Sequence, residues 1–260
     1  MFTNEEILKI AMEQSAVDLG CASSDFLKNE NIIVKRMPLG EDARKYLCEP
    51  LPCTLVSYGN NIVASTDDRF AKTVGQYLDR FTFYHCFETP NLHWLDERMK
   101  KYGISVCFMA EYFLPDVNRF REKKCDFDLR FLYPDDFSSL YLPKWSNALC
   151  EKRKELDVLG VGAFDGEKLI GLAGCSADCE KMRQIGVDVL QEYRKLGVAS
   201  AITSRLAAEI LKRGKVPFYC AAWSNVPSVR NAISSGFLPS WVELSFKPVG
   251  EIQKFNEENL

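Results

Sequence analysis

Residues 185–213, IGVDVLQEYRKLGVASAITSRLAAEILKR, restrict what this chain can fold into more than any other stretch. Ile185, Val187 and Val189 alternate as on one side of a strand, while Ala201, Leu206, Ala207, Ile210 and Leu211 recur at helical spacing. In the turn between them, residues 191–199, Arg194, Lys195, Gly197 and Ala199 write R-x-x-G-x-A where the strand ends and the helix begins. Backbone N–H groups without helical partners converge at such a place, and the aligned peptide dipoles add partial positive charge. The pattern therefore suits an anion, with Gly197 letting the ligand approach the backbone and Ala199 keeping the first helical turn narrow. The plainer reading is a strand, a turn with two exposed basic residues, and a packing glycine.

The run VDVLQEYRKLGVA resembles the acetyl-coenzyme A signature of the GNAT acyltransferase superfamily, a hydrophobic strand followed by Q/R-x-x-G-x-G/A. Downstream, VPFYCAAWSN (216–225) reads as the next strand and PSVRNAISSGF (227–237) as a short helix ended by Gly236, an order similar to that family's core. The resemblance covers the C-terminal half. It implies an α/β chain whose GNAT acyltransferase fold, a mixed and mostly antiparallel sheet with flanking helices, is preceded by a smaller α/β N-terminal domain.

The same resemblance implies an N-acetyltransferase that moves an acetyl group from acetyl-coenzyme A to a primary amine, directly and in a ternary complex, without a metal. Carried over residue by residue, backbone groups of Val187, Asp188 and Val189 would meet the pantetheine and the thioester. The pyrophosphate would sit on Arg194, Lys195, Leu196, Gly197, Val198 and Ala199, and Asn225 would contact the coenzyme arm. Asn225 also suits a helix N-cap ahead of Pro227. One position departs from the family: where many members carry a Tyr that protonates the leaving thiolate, this chain has Ala232. Ser228 or an ordered water could serve instead, or the thiolate could leave unaided. For the base, Asp188 is a candidate, though alternation puts it on the face opposite Val187 and Val189. Glu192 reads as a solvated turn charge, and Tyr193 and Trp223 as core aromatics or lining of the acyl cleft. The alternative function is an acetyl-coenzyme A sensor or regulatory module with weak turnover.

Composition sets outer limits. The chain has 260 residues, 47% of them hydrophobic, enough for two modest domains with a real core. A net charge of −3 without a Lys/Arg block argues against a nucleic-acid surface. No run of about 18 apolar residues indicates a membrane span, and MFTNEEILKIAMEQ lacks the basic start and apolar stretch of a signal peptide. The ten cysteines are scattered, several inside apolar strands, and read as reduced thiols of a cytoplasmic protein. Cys175 and Cys179 have no partner pair or His nearby to make a metal site. His85 and His93 have no neighbour that makes a nucleophile or metal case. The expected partner is a small-molecule or peptide amine.

Along the chain, Thr3 and Glu6 occupy capping-box positions ahead of a helix carrying Ile7, Leu8, Ala11 and Met12. A short helix over 24–28 and strands over 31–36, 53–58 and 62–65 follow, the last two as a hairpin. Asp67 and Asn91 are placed to cap helices, the second ending near Gly103, and a strand covers 104–112. Residues 114–128 read as a connection between an N-terminal domain over 1–120 and a GNAT domain over 127–250. Beyond it come a strand over 129–133, helices over 134–140 and 145–156 on the acceptor side, and a hairpin of 157–164 with 169–176 around the turn D-G-E-K. A strand follows over 182–189. The segment 144–157 could grade acceptors by charge or be an ordinary amphipathic helix. A last strand over 241–247 precedes a polar, frayed tail. The N-terminal half carries no coenzyme motif and is either an eroded second copy of the fold or an unrelated α/β lid.

Overall fold

The computed structural model describes residues 2–47 and 49–258, so Cys48 lies outside the described residues. The chain forms two compact units, a larger one of residues 2–10 with Tyr112–Pro239 and a smaller one of Ala11–Glu111 with residues 240–258. The divisions fall inside α1 (Asn4–Leu19), β4 (Ile104–Pro115) and β10 (Phe237–Pro248), rather than at 121–126. Residues 116–127 belong to the larger unit, where the Lys123 N–H donates to Ser204 Oγ at 2.8 Å.

In the smaller unit, β2 (Cys53–Ser57) and β3 (Val63–Thr66) form the expected antiparallel hairpin, β1 (Ile32–Lys35) pairs in parallel with β3, and β10 pairs antiparallel with β2. Helices α2 (Asp68–Arg80) and α3 (Thr89–Met99) supply Phe70, Val74, Tyr77, Leu92 and Leu95 to a core with Leu55, Ala64, Leu244 and Phe246. Local capping is as the sequence predicts at two helices. Thr3 and Glu6 bond reciprocally at the start of α1, and Asp67 accepts from the Arg69 N–H at the start of α2. Helix α3 differs. It begins two residues before Asn91, with Pro90 in its first turn, and the Asn91 amide donates to the His85 carbonyl instead. The polar tail is helical over α6 (Val249–Glu258), and residues 259–260 lie outside the described residues.

In the larger unit the sheet runs from β4 through β9 (Val216–Ala221), β8 (Met182–Val189), β7 (Lys168–Ser176) and β6 (Asp157–Asp165) to β5 (Asp128–Leu132). Pairs β5/β6, β6/β7 and β7/β8 are antiparallel, and β8/β9 is parallel. Helix α4 (Val198–Lys212) packs Val198, Ile202, Leu206 and Ile210 on the face that carries Ala173, Cys175 and Ile185, with Val187 and Val189 against the same core. Periodicities of two and 3.6 thus meet in one core. Helix α5 (Val226–Ser234) follows β9, which ends at Ala221, four residues short of Asn225.

The opposite face corrects the sequence reading. Residues 145–156 do not form a helix; two short 3-10 turns, Pro143–Trp145 and Glu151–Leu156, flank an irregular stretch, and 134–140 shortens to the 3-10 turn Pro134–Phe137. One turn survives, the Ala148 and Leu149 N–H groups donating to the Trp145 carbonyl at 3.1 and 3.0 Å, while carboxylates draw on the N–H groups around it. Asp188 accepts from the Asn147 and Ala148 N–H groups at 2.9 and 3.0 Å and Asp157 from the Cys150 N–H at 2.9 Å, while Arg153 turns to Asp178 at 2.6 Å. The cross-strand pair Gly174 and Gly186 makes room for this. A Cβ on Gly174 would stand 2.1 Å from the Ala148 carbonyl oxygen, and one on Gly186 1.8 Å from that of Asn147. Only two residues without side chains let the segment lie directly on the sheet.

Candidate functional site

Strand β8 pairs with β7 from Gln184 through Val189, but with β9 only from Met182 through Ile185, the last partner being Tyr219. Beyond that point β8 and β9 part, leaving Val187, Asp188 and Val189 without ladder partners on that side among the described residues. A linear ligand with amide groups can fill such a gap, because the exposed backbone offers the donors and acceptors of a strand edge. The Leu190 N–H, donating to Ile170 at 2.9 Å, and the Arg194 Nε, donating to the Val189 carbonyl at 3.2 Å, close its far end.

A 3-10 turn, Gln191–Tyr193, follows, and then two residues with positive φ: Lys195 at 66° and Gly197 at 80°. Lys195 is the one non-glycine residue with positive φ among those described. That conformation costs a side-chain-bearing residue roughly 1–2 kcal/mol, and such backbone strain gathers at ligand sites. The N–H groups of residues 195–200 have no acceptor among the described residues, the first intrahelical bond being Ala201 N–H to Gly197 at 3.1 Å. Val198 is buried in the core, so it can offer a ligand only its backbone; Leu196 is 53% exposed at the tip. The turn is therefore a cradle of outward N–H groups at the positive end of a 15-residue helix, flanked by Arg194 and Lys195.

The other residues singled out from the sequence divide between this place and structural work. Asn225 caps α5, its Oδ1 accepting from the Ser228 N–H at 3.2 Å. Ser228 Oγ lies 2.8 Å from the Tyr219 hydroxyl, whose pKa is pushed up chiefly by burial. The sequence reading missed this pair, because Tyr219 reads simply as one residue of an apolar strand. Asp188 is engaged at both oxygens, Oδ1 by the Asn147 amide at 2.6 Å and Oδ2 by the two backbone N–H groups, so it shapes the wall rather than standing free. Ala232 is fully buried. Tyr193 donates to Asp165 at 2.9 Å and packs edge-on against Phe127, and Glu192 pairs with Lys168 at 3.1 Å, so neither is a free group in the gap.

His85 and His93 pair with Glu88 and Glu97 on the surface. The nine described cysteines are free thiols, and burial pushes those of Cys53, Cys86 and Cys175 to about 12, far from a nucleophilic thiolate at neutral pH. Among the described residues no three His, Cys, Asp or Glu side chains gather into a metal-holding group, and no helix is long and apolar enough to cross a membrane.

A GCN5-related N-acetyltransferase from Kribbella flavida is similar over 94% of this chain and 96% of its own, at 10% identity and a TM-score of 0.52, a likeness of fold. A GNAT-family acetyltransferase from Novosphingobium aromaticivorans matches at 17% identity and a TM-score of 0.45, over 55% of this chain and 66% of its own. A GCN5-related N-acetyltransferase-like protein from Streptococcus suis matches at 21% and 0.43, over 59% and 68%. The chain thus spans about two thirds of the length of the last two. No curated protein matches. The sequence profile of the GNAT acetyltransferase family matches residues 84–240, more than half of the chain. With that match laid over the parted strands and the N–H cradle, the chain belongs to the GNAT acetyltransferase family.

Proposed function

We propose that the protein is an N-acetyltransferase that moves an acetyl group from acetyl-coenzyme A directly to a primary amine in a ternary complex. One observation carries this reading: β8 parts from β9 just ahead of a turn whose N–H groups at residues 195–200 have no acceptor. The diphosphate would rest on residues 194–199, with the Arg194 and Lys195 side chains as charge partners. The pantetheine would run along Val187, Asp188 and Val189 and be met by the amide of Asn225. The segment C-terminal to residue 127 is assigned this work, and the acceptor is a small molecule or peptide.

A thioester is already activated, so the chain's task is to hold it and present a neutral amine. The amine nitrogen attacks the carbonyl carbon, a C–N bond forms, the C–S bond breaks, and the amine's surplus proton passes to water. The thiolate takes a proton from water or from the Ser228–Tyr219 hydroxyl pair. Asp188, already accepting three N–H bonds, is not assigned the base.

Calorimetry with coenzyme A and an acetyl-coenzyme A consumption assay over a panel of amines test the reading. Saturable binding with turnover on at least one amine is expected, and absence of coenzyme binding would end it. A second reading, a coenzyme-binding sensor with weak turnover, is favoured by the buried Ala232 and the engaged Asp188. It predicts binding and a thermal shift with no consumption across the panel.

A further inference from the structure

Three of the four tryptophans are embedded. Trp145 is 1% exposed with the Lys144 ammonium 5.4 Å from its ring; Trp241 is 3% exposed, stacked on Tyr58 at 5.5 Å; Trp94 stacks on Tyr77 at 6.0 Å and lies under Arg98 at 3.7 Å. Trp223 is different. It is 55% exposed, and among the described residues its indole has no hydrogen-bond, aromatic or cation–π partner. A large flat apolar group left open to water at a fixed place is a surface waiting for a partner.

That place is well defined. Trp223 sits in the turn closed by the Asn225 N–H donating to the Ala222 carbonyl at 2.9 Å, two residues past the end of β9. The base of the turn is tied down. Asn225 caps α5, Ser228 meets Tyr219 on β9, and the Asn231 amide donates to Thr203 on α4 at 3.1 Å. Because β8 and β9 run parallel, the turn carrying Trp223 leaves the sheet at the same end as the N–H cradle of residues 195–200. The turn that carries Trp223 and the anion-binding turn thus follow neighbouring strands at one end of the parallel pair, from its β9 and β8 sides respectively.

We propose that the Trp223 indole is the stacking platform for the purine ring of the coenzyme. The inference rests on the coenzyme-binding reading above. A pantetheine arm in the gap between the strands meets backbone amides, whereas the nucleotide end lies outside that gap. There the diphosphate is held by the cradle, and a planar heterocycle attached to it meets an exposed indole at the rim. Stacking of a base on an aromatic side chain needs no hydrogen-bond code, which agrees with a turn that presents no free polar side chain other than Ser224 beside it.

The test uses the full chain, coenzyme A, and the fluorescent 1,N6-etheno analogue of coenzyme A. Coenzyme A should quench tryptophan emission in the native protein and leave it unchanged in Trp223→Ala. The etheno emission should be quenched on binding the native protein and recovered in Trp223→Ala. By calorimetry Trp223→Ala should lose roughly tenfold in coenzyme A affinity and Trp223→Phe much less. Since the side chain is exposed, both variants should melt with the native protein, a control for folding. Unchanged affinity in Trp223→Ala would overturn the proposal, and so would an etheno signal identical in native and variant proteins, which would place the indole on the arm or on the acceptor. Failure of the native protein to bind coenzyme A at all would instead end the functional reading on which the proposal stands.

Discussion

Two groups of carboxylates, one in each unit, are held in different ways. In the larger unit Asp157, Asp178 and Asp188 are set at the sheet and each accepts from the segment that crosses it: Asp157 from Cys150, Asp178 from Arg153, Asp188 from Asn147 and Ala148. In the smaller unit Asp18 pairs with the almost fully buried Arg44 at 3.0 Å, and Glu243 is buried near the same guanidinium. Tyr58 and Trp241 stack alongside at 5.5 Å. The first arrangement gives N–H donors to its carboxylates and so shapes a loop beside the candidate site. The second places two carboxylates near one cation, and burial pushes the Glu243 carboxyl up to about 7. Carboxylates therefore anchor a loop in one unit and crowd a buried guanidinium in the other, and each unit holds one that burial raises, Asp157 to about 6 and Glu243 to about 7.

The comparison breaks most visibly at the glycine floor. Gly186→Ala puts a methyl 1.8 Å from the Asn147 carbonyl oxygen, a backbone atom that cannot rotate away. We expect a loss of about 3 kcal/mol or more by urea unfolding, with Gly174→Ala close behind. A change under about 1 kcal/mol in both would mean that the segment is not held on the sheet.

Asp188→Ala comes next, since it removes the acceptor of the Asn147 N–H and side-chain amide and one of the two acceptors of the Ala148 N–H; about 1–2 kcal/mol is expected, with Asp188→Asn losing less because one carbonyl acceptor remains. Coenzyme A affinity, measured by calorimetry, should change little in Asp188→Asn, since the strand's backbone rather than this carboxylate is assigned the contact.

The titratable interior makes a pH prediction of known sign. The Glu243 carboxyl is raised from 4.5 to about 7 in the fold, so between those values the folded chain binds more protons than the unfolded one. Stability therefore falls as pH rises through this window and levels off above it. Asp157, raised from 3.8 to about 6 by burial, acts with the same sign at lower pH. Thermal melts between pH 6 and 8 weigh Glu243 most, with Asp157 contributing at the lower end. Glu243→Gln should flatten the slope and be the more stable protein at pH 8, by on the order of 1–2 kcal/mol. A native protein whose stability is flat or rises over that interval would show that the Glu243 carboxyl is not held protonated in the fold.

The smallest effect belongs to Lys195→Gly, which relieves a positive φ but removes a cation beside the cradle. Stability should stay level or rise by up to about 1 kcal/mol while coenzyme A binding weakens a few-fold, more steeply at low salt.

What the sequence determined by itself is local. The capping box of Thr3 and Glu6, the Asp67 and Asn225 caps, the D-G-E-K hairpin, and the strand-turn-helix around Gly197 all form between residues a few positions apart. Period and turn chemistry suffice for these, and with them came the family's core. The tertiary structure alone decided that residues 145–156 abandon their helix. Asn147 and Asp188 are 41 positions apart, and nothing near Asn147 in the chain announces a carboxylate waiting for its N–H. Gly174 and Gly186 hinted at a close approach, as isolated glycines in strands do, without naming what approaches. Likewise Asp188 was legible as a polar residue on the face opposite Val187, yet anchor and base look alike until the donors around the carboxylate are seen. Helix propensity contributes a few tenths of a kcal/mol per residue, and charge-assisted hydrogen bonds to the sheet contribute more, so the long-range partners prevail.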